Sequence, residues 1–161
     1  MMQQQLVEKV YESFKDSKWS LGFAESCTGG LISSWLARRA GVSSFFKGSV
    51  VSYAAEVKQN LLHVRASDIE AHGEVSESVA LQMAQGACQA LAVDWAVSVT
   101  GIAGPSGGSD EKPVGTVCFA IVGPNFEKAI THHFDRNLSR GDIQTKTAEK
   151  AFELLLDGIK S

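Results

Sequence analysis

Leu6, Val7, Val10, Tyr11 and Phe14 recur at three- and four-residue spacing near the start of the chain, the stripe that an amphipathic helix buries. The pattern changes to a short apolar run over residues 19–24, which reads as a buried strand. Glu25-Ser26-Cys27-Thr28-Gly29-Gly30 follows, and Leu31, Ile32, Trp35 and Leu36 then return to helical spacing. A Val- and Ser-rich stretch predicts a second strand over 48–53, and composition predicts a helix over 54–62 and a short helical turn over 67–71. Ser76 is placed to cap a longer helix whose inner face carries Val79, Ala80, Met83, Ala84, Ala87 and Leu91. An apolar strand over 95–99 feeds a Gly/Pro/Ser-rich stretch over 100–113. Two strands, 114–122 and 128–134, flank a turn at Gly123-Pro124-Asn125. A last helix over 139–159 would bury Ala148, Ala151, Phe152, Leu155 and Ile159.

Strands that alternate with helices pair in parallel through helical crossovers, whereas two strands in direct succession form an antiparallel hairpin. The order here predicts an α/β protein with a mixed sheet covered on both faces by helices. No internal repeat, low-complexity tract or linker divides it, so residues 1–161 are expected to form a single domain.

Composition narrows the function. With 44% hydrophobic and 20% charged residues in 161, the chain is that of an ordinary globular protein. A net charge of −3 speaks against a nucleic-acid surface, which needs clustered cations, but leaves room for a small anionic ligand. Cys27, Cys88 and Cys118 are odd in number and form no CxxC pair, so reduced thiols are expected rather than a disulfide framework or a zinc site. Residues 1–18 are amphipathic, with Glu8, Glu12 and Asp16. No apolar run approaches the ~18 residues of a membrane span, so neither a secretory nor a membrane segment is read, and a cytoplasmic protein is expected.

Three segments have the residue types that chemistry needs. In Glu25 to Gly30, unpaired N–H groups at a helix start favour an anion or developing negative charge, Gly29 and Gly30 permit close approach, and Ser26 or Cys27 would be an exposed nucleophile. The competing reading is that Ser26 or Thr28 only caps the helix. The second segment, Thr100-Gly101-Ile102-Ala103-Gly104-Pro105-Ser106-Gly107-Gly108, has four glycines in nine residues. Consecutive N–H groups there can form an anion-binding nest, although it matches neither a Walker loop nor a dinucleotide fingerprint. A flexible surface loop is the alternative, with Lys112 and Pro113 closing it. The third is Gly48-Ser49-Val50-Val51-Ser52-Tyr53 with Lys58. A lysine whose pKa is lowered by burial can act as the base for a serine, but an isolated Lys58 also reads as an ordinary solvated helix charge.

Histidine is the usual base, yet His63 and His72 lie in a connection and His132-His133 lie on a late strand. No HExxH or other ligand spacing points to a metal. Cys27 is the rival nucleophile, since a helix start lowers a thiol pKa.

Taken together, Ala24-Glu25-Ser26-Cys27-Thr28-Gly29-Gly30, Gly48 to Tyr53 with Lys58, Gly73-Glu74-Val75-Ser76-Glu77, Ser98 to Gly108, Lys112 to Thr116 and Arg140 resemble the CinA C-terminal domain family, which includes the bacterial nicotinamide-nucleotide amidases. The resemblance runs over nearly the whole chain, in order. It implies a three-layer α/β/α sandwich with a mixed, mostly parallel five-stranded sheet, and hydrolysis of nicotinamide mononucleotide to nicotinate mononucleotide and ammonia, a step of NAD salvage, without cofactor or metal. It implies Ser26 as nucleophile, Lys58 as its base and Tyr53 as a helper in returning a proton. Substrate binding is expected from Thr28, Gly29 and Gly30, from Thr100, Gly101, Ala103 and Gly104, and from Arg140 as a clamp on the phosphate. Which glycine-rich segment serves the phosphate and which the oxyanion is left open.

The chain departs from the family pattern at two places. Tyr53 is followed by Ala54-Ala55-Glu56 rather than Ser/Thr-Asn-Glu, and Gln144 stands where a second arginine is usual. A catalytically impaired nucleotide-binding or regulatory module is therefore the second reading, and an amidase for another small amide the third. Many family proteins have a further nucleotide-processing domain ahead of this one, and a stand-alone domain is expected here. Family members tend to self-associate, and Trp35, Phe45 and Phe46 are candidates for a sticky patch, so a homo-oligomer is expected, with no nucleic-acid or membrane partner.

Overall fold

The computed structural model describes residues 1–161. Strands Leu21–Glu25 (β1), Phe46–Val51 (β2), Trp95–Gly101 (β3), Thr116–Gly123 (β4) and Phe126–His133 (β5) form one sheet in the order β2-β1-β3-β4-β5. β1 pairs in parallel with β2 and β3, while β4 is antiparallel to both β3 and β5. β4 alone therefore runs against the other four. The helices are Met2–Phe14 (α1), Leu31–Ala37 (α2), Ala55–Leu62 (α3), Ala66–His72 (α4), Glu77–Leu91 (α5) and Arg140–Ile159 (α6).

Alternation along the central strands sorts the two faces by size. Leu21 and Phe23, Trp95, Val97 and Val99, and Val117, Phe119 and Ile121 pack with α1, α2 and α6 in the larger core. Their neighbours Ala24, Ala96, Cys118 and Ala120 face the other way, towards α5 and the end of α3. A strand covered on both faces needs apolar residues at successive positions rather than alternate ones, and all five residues of β1 are buried. The result is the three-layer α/β/α sandwich. Small residues under α5 let it sit close to the sheet, and Gly86 does the same for α3, because a Cβ there would collide with the Leu62 carbonyl.

The edges of several elements differ from the sequence reading. β2 ends at Val51, two residues early, which frees Ser52 and Tyr53 from the sheet. β4 starts at Thr116 rather than 114, because Gly115 has φ +94° and breaks the extended run. The expected sticky patch is part of the core. Trp35 stacks on Phe152, Phe45 on Phe14, and Phe46 leans on Phe23. Periodicity had shown that these rings were large and apolar, not which way they faced. No helix is long and apolar enough to cross a membrane.

Candidate active site

β1 has β2 on one side and β3 on the other, so the chain leaves its carboxyl end at a switch in strand order, where open α/β sheets form crevices. Ser26 stands at that point. Its N–H donates to Val99 O at 3.1 Å, prolonging the pairing with β3 by one residue. The chain then turns sharply through Gly29 (φ +58°) and Gly30 (φ +104°) into α2, left-handed conformations that side chains resist.

The start of α2 is not the open anion site that its sequence suggests. Glu25, 0% exposed, turns its carboxylate beneath it. One oxygen accepts from Ile32 N at 3.0 Å and Thr28 Oγ1 at 2.7 Å, and the other from Ser33 N at 3.0 Å, the Ser33 hydroxyl and Ser49 Oγ. Leu31 and Ser34 N–H are bonded to Thr28 and Gly30 carbonyls. The helix dipole and its first amides are thus satisfied from within. The Thr28 hydroxyl, expected to touch substrate, donates to Glu25, and no external anion can use these donors. Ahead of the helix, by contrast, no protein oxygen accepts from the N–H groups of Cys27 and Thr28.

Lys58, in the first turns of α3, is 1% exposed and points to the same corner. Its Nζ donates to Ser26 Oγ at 2.9 Å, Ser52 O at 2.7 Å, Tyr53 O at 3.2 Å and Glu74 Oε1 at 3.3 Å. Early release of the chain from β2 is what turns the Ser52 and Tyr53 carbonyls towards it. An ammonium has three N–H bonds for four acceptors, whereas a neutral amine would donate two and accept the serine proton. Burial pulls the lysine pKa below its ordinary 10.5, and the Glu74 charge opposes that pull without cancelling it. Glu74, 45% exposed, is held by its backbone, whose carbonyl accepts from the buried Thr100 hydroxyl at 3.0 Å. Thr100, expected to touch substrate, lines the cleft with its hydroxyl committed to the Glu74 carbonyl, and Glu74 is a site residue to which no sequence motif assigns a role.

Cys27 lies in the larger core, and burial drives its thiol up to about 12. Burial thus opposes the thiolate that a cysteine nucleophile needs, which favours Ser26 over Cys27. None of the four histidines lines the cleft. No group of three or more His, Cys, Asp or Glu is placed to hold a metal ion.

Ser26 opens into a cleft of about 480 Å³, a volume suited to a small molecule. Its far wall is the loop after β3. There Ala103, Gly104, Ser106, Gly107 and Gly108 have N–H groups with no protein acceptor. Gly101 is needed where β3 meets β4, since a Cβ would strike Val117. Arg140, the first residue of α6, donates to Gly104 O at 2.7 Å and to Tyr53 Oη at 2.6 Å. Tyr53, 58% exposed, therefore meets Arg140 with its phenol and Lys58 only with its carbonyl. Lys112 reaches across to the His72 carbonyl and completes a cationic rim.

The two departures from the family pattern have visible consequences. Ala54 is the N-cap of α3 and offers no capping side chain, and Ala55 is the first helical residue. Gln144, one turn along α6 from Arg140, donates through Nε2 to Cys27 O at 2.9 Å, so it braces the loop that carries Ser26.

Known proteins share this sequence and this fold. Residues 3–159 match the model of the CinA C-terminal domain. A CinA-like protein of Fervidobacterium nodosum is 47% identical over 153 residues, covering 93% of this chain and 36% of that one. A CinA-like protein of Leptospira biflexa is 42% identical over 94% of this chain and 36% of its own length. The chain thus spans little more than a third of these curated relatives. Among solved structures, competence damage-inducible protein A of Klebsiella pneumoniae superposes with a TM-score of 0.93 at 31% identity, covering 98% of this chain and 97% of that one. The competence/damage inducible protein CihA of Agrobacterium tumefaciens gives 0.93 at 35% identity, covering 100% and 97%. On sequence and fold alike, the chain belongs to the CinA C-terminal domain family.

Proposed function

We propose that the protein is an amidohydrolase that converts nicotinamide mononucleotide to nicotinate mononucleotide and ammonia. The observation that carries this reading is the buried Lys58 amine 2.9 Å from Ser26 Oγ. Amide hydrolysis needs a nucleophile, a base able to return its proton to a poor leaving group, and donors for the oxyanion.

Ser26 Oγ attacks the carboxamide carbon while its proton passes to neutral Lys58 Nζ. The carbonyl oxygen becomes an oxyanion beside the free N–H groups of Cys27 and Thr28. Collapse breaks the C–N bond, Lys58 gives the proton to the departing nitrogen, and ammonia leaves an ester on Ser26. Lys58 then takes a proton from water, whose oxygen attacks the ester, and returns it to the departing Ser26 Oγ, leaving nicotinic acid that ionises to the carboxylate. Tyr53 Oη, accepting from Arg140, keeps its own proton to donate as a second source at the cleft wall. The phosphate binds across the cleft, at the N–H groups of residues 103–108 with Arg140 and Lys112, because Glu25 has filled the other helix start.

Ala55 supports a second reading, a module that binds the nucleotide without turning it over, because no side-chain donor stands at the start of α3 where the family pattern has asparagine. Incubation of purified protein with nicotinamide mononucleotide, with ammonia and nicotinate mononucleotide both followed, separates the two. Stoichiometric formation of both products supports the amidase. A raised melting temperature with neither product supports the binding module.

A further inference from the structure

Glu74 is the one anionic side chain on the cleft wall beside the nucleophile. Its Oε1 is 3.3 Å from Lys58 Nζ, which is 2.9 Å from Ser26 Oγ. The carboxylate thus lies within two hydrogen-bond lengths of the reacting oxygen. It is fixed there because Thr100 Oγ1 holds its backbone, yet the side chain is 45% exposed to the cleft. A carboxylate so placed works against the chemistry derived above, since a negative neighbour keeps a lysine protonated. The other groups facing Lys58 do not replace it. The Cys27 thiol is un-ionised, Glu25 is turned away under α2, and Arg140 and Lys112 stand across the cleft.

We propose that Glu74 is a counter-ion for which Lys58 and a positively charged ring compete, making it the residue that selects amides borne on a cation. This rests on the amidase reading, in which the carboxamide sits at Ser26 on a pyridinium ring. A ring attached directly to that amide must lie beside Glu74. In the empty cleft the Glu74 carboxylate favours the ammonium form of Lys58. A cationic ring draws the carboxylate to itself, and Lys58 releases its proton to solvent water in the cleft, so that the amine faces Ser26 as a base. A neutral ring of the same shape gains no such partner.

The test uses Glu74→Gln and two readouts that need no turnover. The first is the rate at which phenylmethylsulfonyl fluoride labels Ser26, followed by intact mass across pH. Removing the charge lowers the lysine pKa further, so the acidic limb of the Glu74→Gln profile should move at least half a pH unit down, labelling about three-fold faster below the limb. The second is binding to Ser26→Ala protein of nicotinamide mononucleotide against its neutral dihydro form, which share the phosphate. Glu74→Gln should reduce the preference for the cation about five-fold. An unmoved labelling profile overturns the counter-ion role, and an unchanged preference overturns the selection. Absence of ammonia release with both shifts present would sink the amidase reading and leave the Glu74 assignment standing.

Discussion

The Glu25 carboxylate accepts the backbone N–H of Ile32 at 3.0 Å, so the residue that ends β1 also neutralises the start of α2. That single relationship divides the labour between the two glycine-rich segments. It closes the first to outside anions, and the proposed phosphate site is therefore the loop after β3, whose N–H groups are free.

Replacing Glu25 with alanine strands the N–H groups of Ile32 and Ser33 and the hydroxyls of Thr28 and Ser33 in a buried corner. A stability loss of about 3 kcal/mol or more is expected in urea denaturation, with Glu25→Gln intermediate. A loss under about 1 kcal/mol would mean that these bonds are readily replaced by water.

Burial lowers the Lys58 pKa in the folded protein, and the sign of the pH effects follows from that. The folded state binds this proton less tightly than the unfolded chain. Stability should therefore rise with pH between the lowered value and the ordinary 10.5. Activity should rise through the lowered value, as the amine becomes a base. Melting temperatures of wild type and Lys58→Met across that window check the first effect, because the methionine variant should lose this part of the slope. Rate profiles of the wild type check the second.

Much of the fold was legible because its signals are local. Leu6, Val7, Val10 and Phe14 are buried on α1 as their spacing predicts, and Ser76 Oγ caps α5 by accepting from Val79 N. The order of strands and helices announced the mixed sheet. Ser26 and Lys58 were legible as residue types at a strand-to-helix turn and a helix start. Their contact, across 32 residues, came only with the parallel pairing of β1 and β2. Glu25 was hidden because it caps amides seven and eight residues onward, beyond the reach of any capping pattern. Gln144 stood out only as a missing arginine, and its contact was hidden more deeply, since its partner Cys27 is 117 residues away.

Gln144→Ala should release the Cys27 carbonyl and loosen the loop that aims Ser26. Small misplacement of a nucleophile lowers turnover more than binding, so kcat should fall about ten-fold with KM nearly unchanged. Equal changes in both constants would show that Gln144 acts on binding instead.

Ala54 has the extended backbone of an N-cap (φ −91°, ψ 153°) without a capping side chain. Ala54→Ser should supply the missing acceptor and stabilise the protein by about 1 kcal/mol, read as a higher urea midpoint. An unchanged midpoint would show that water already caps α3 as well.

Arg140 ties Tyr53 to the Gly104 carbonyl at the mouth of the cleft. Arg140→Ala should raise KM for nicotinamide mononucleotide about ten-fold or more, with a clearly smaller penalty on the unphosphorylated riboside. An equal penalty on both compounds would remove Arg140 from phosphate binding.

The pairing of a buried amine with a serine hydroxyl is tested most directly by ammonia release from nicotinamide mononucleotide by wild type, Ser26→Ala and Lys58→Ala, each verified as folded by its melting curve. The wild type should release ammonia, and each variant should lose about 10³-fold or more in kcat. Turnover by Ser26→Ala within ten-fold of the wild type would contradict the account, because the reaction would then proceed without the hydroxyl that Lys58 touches.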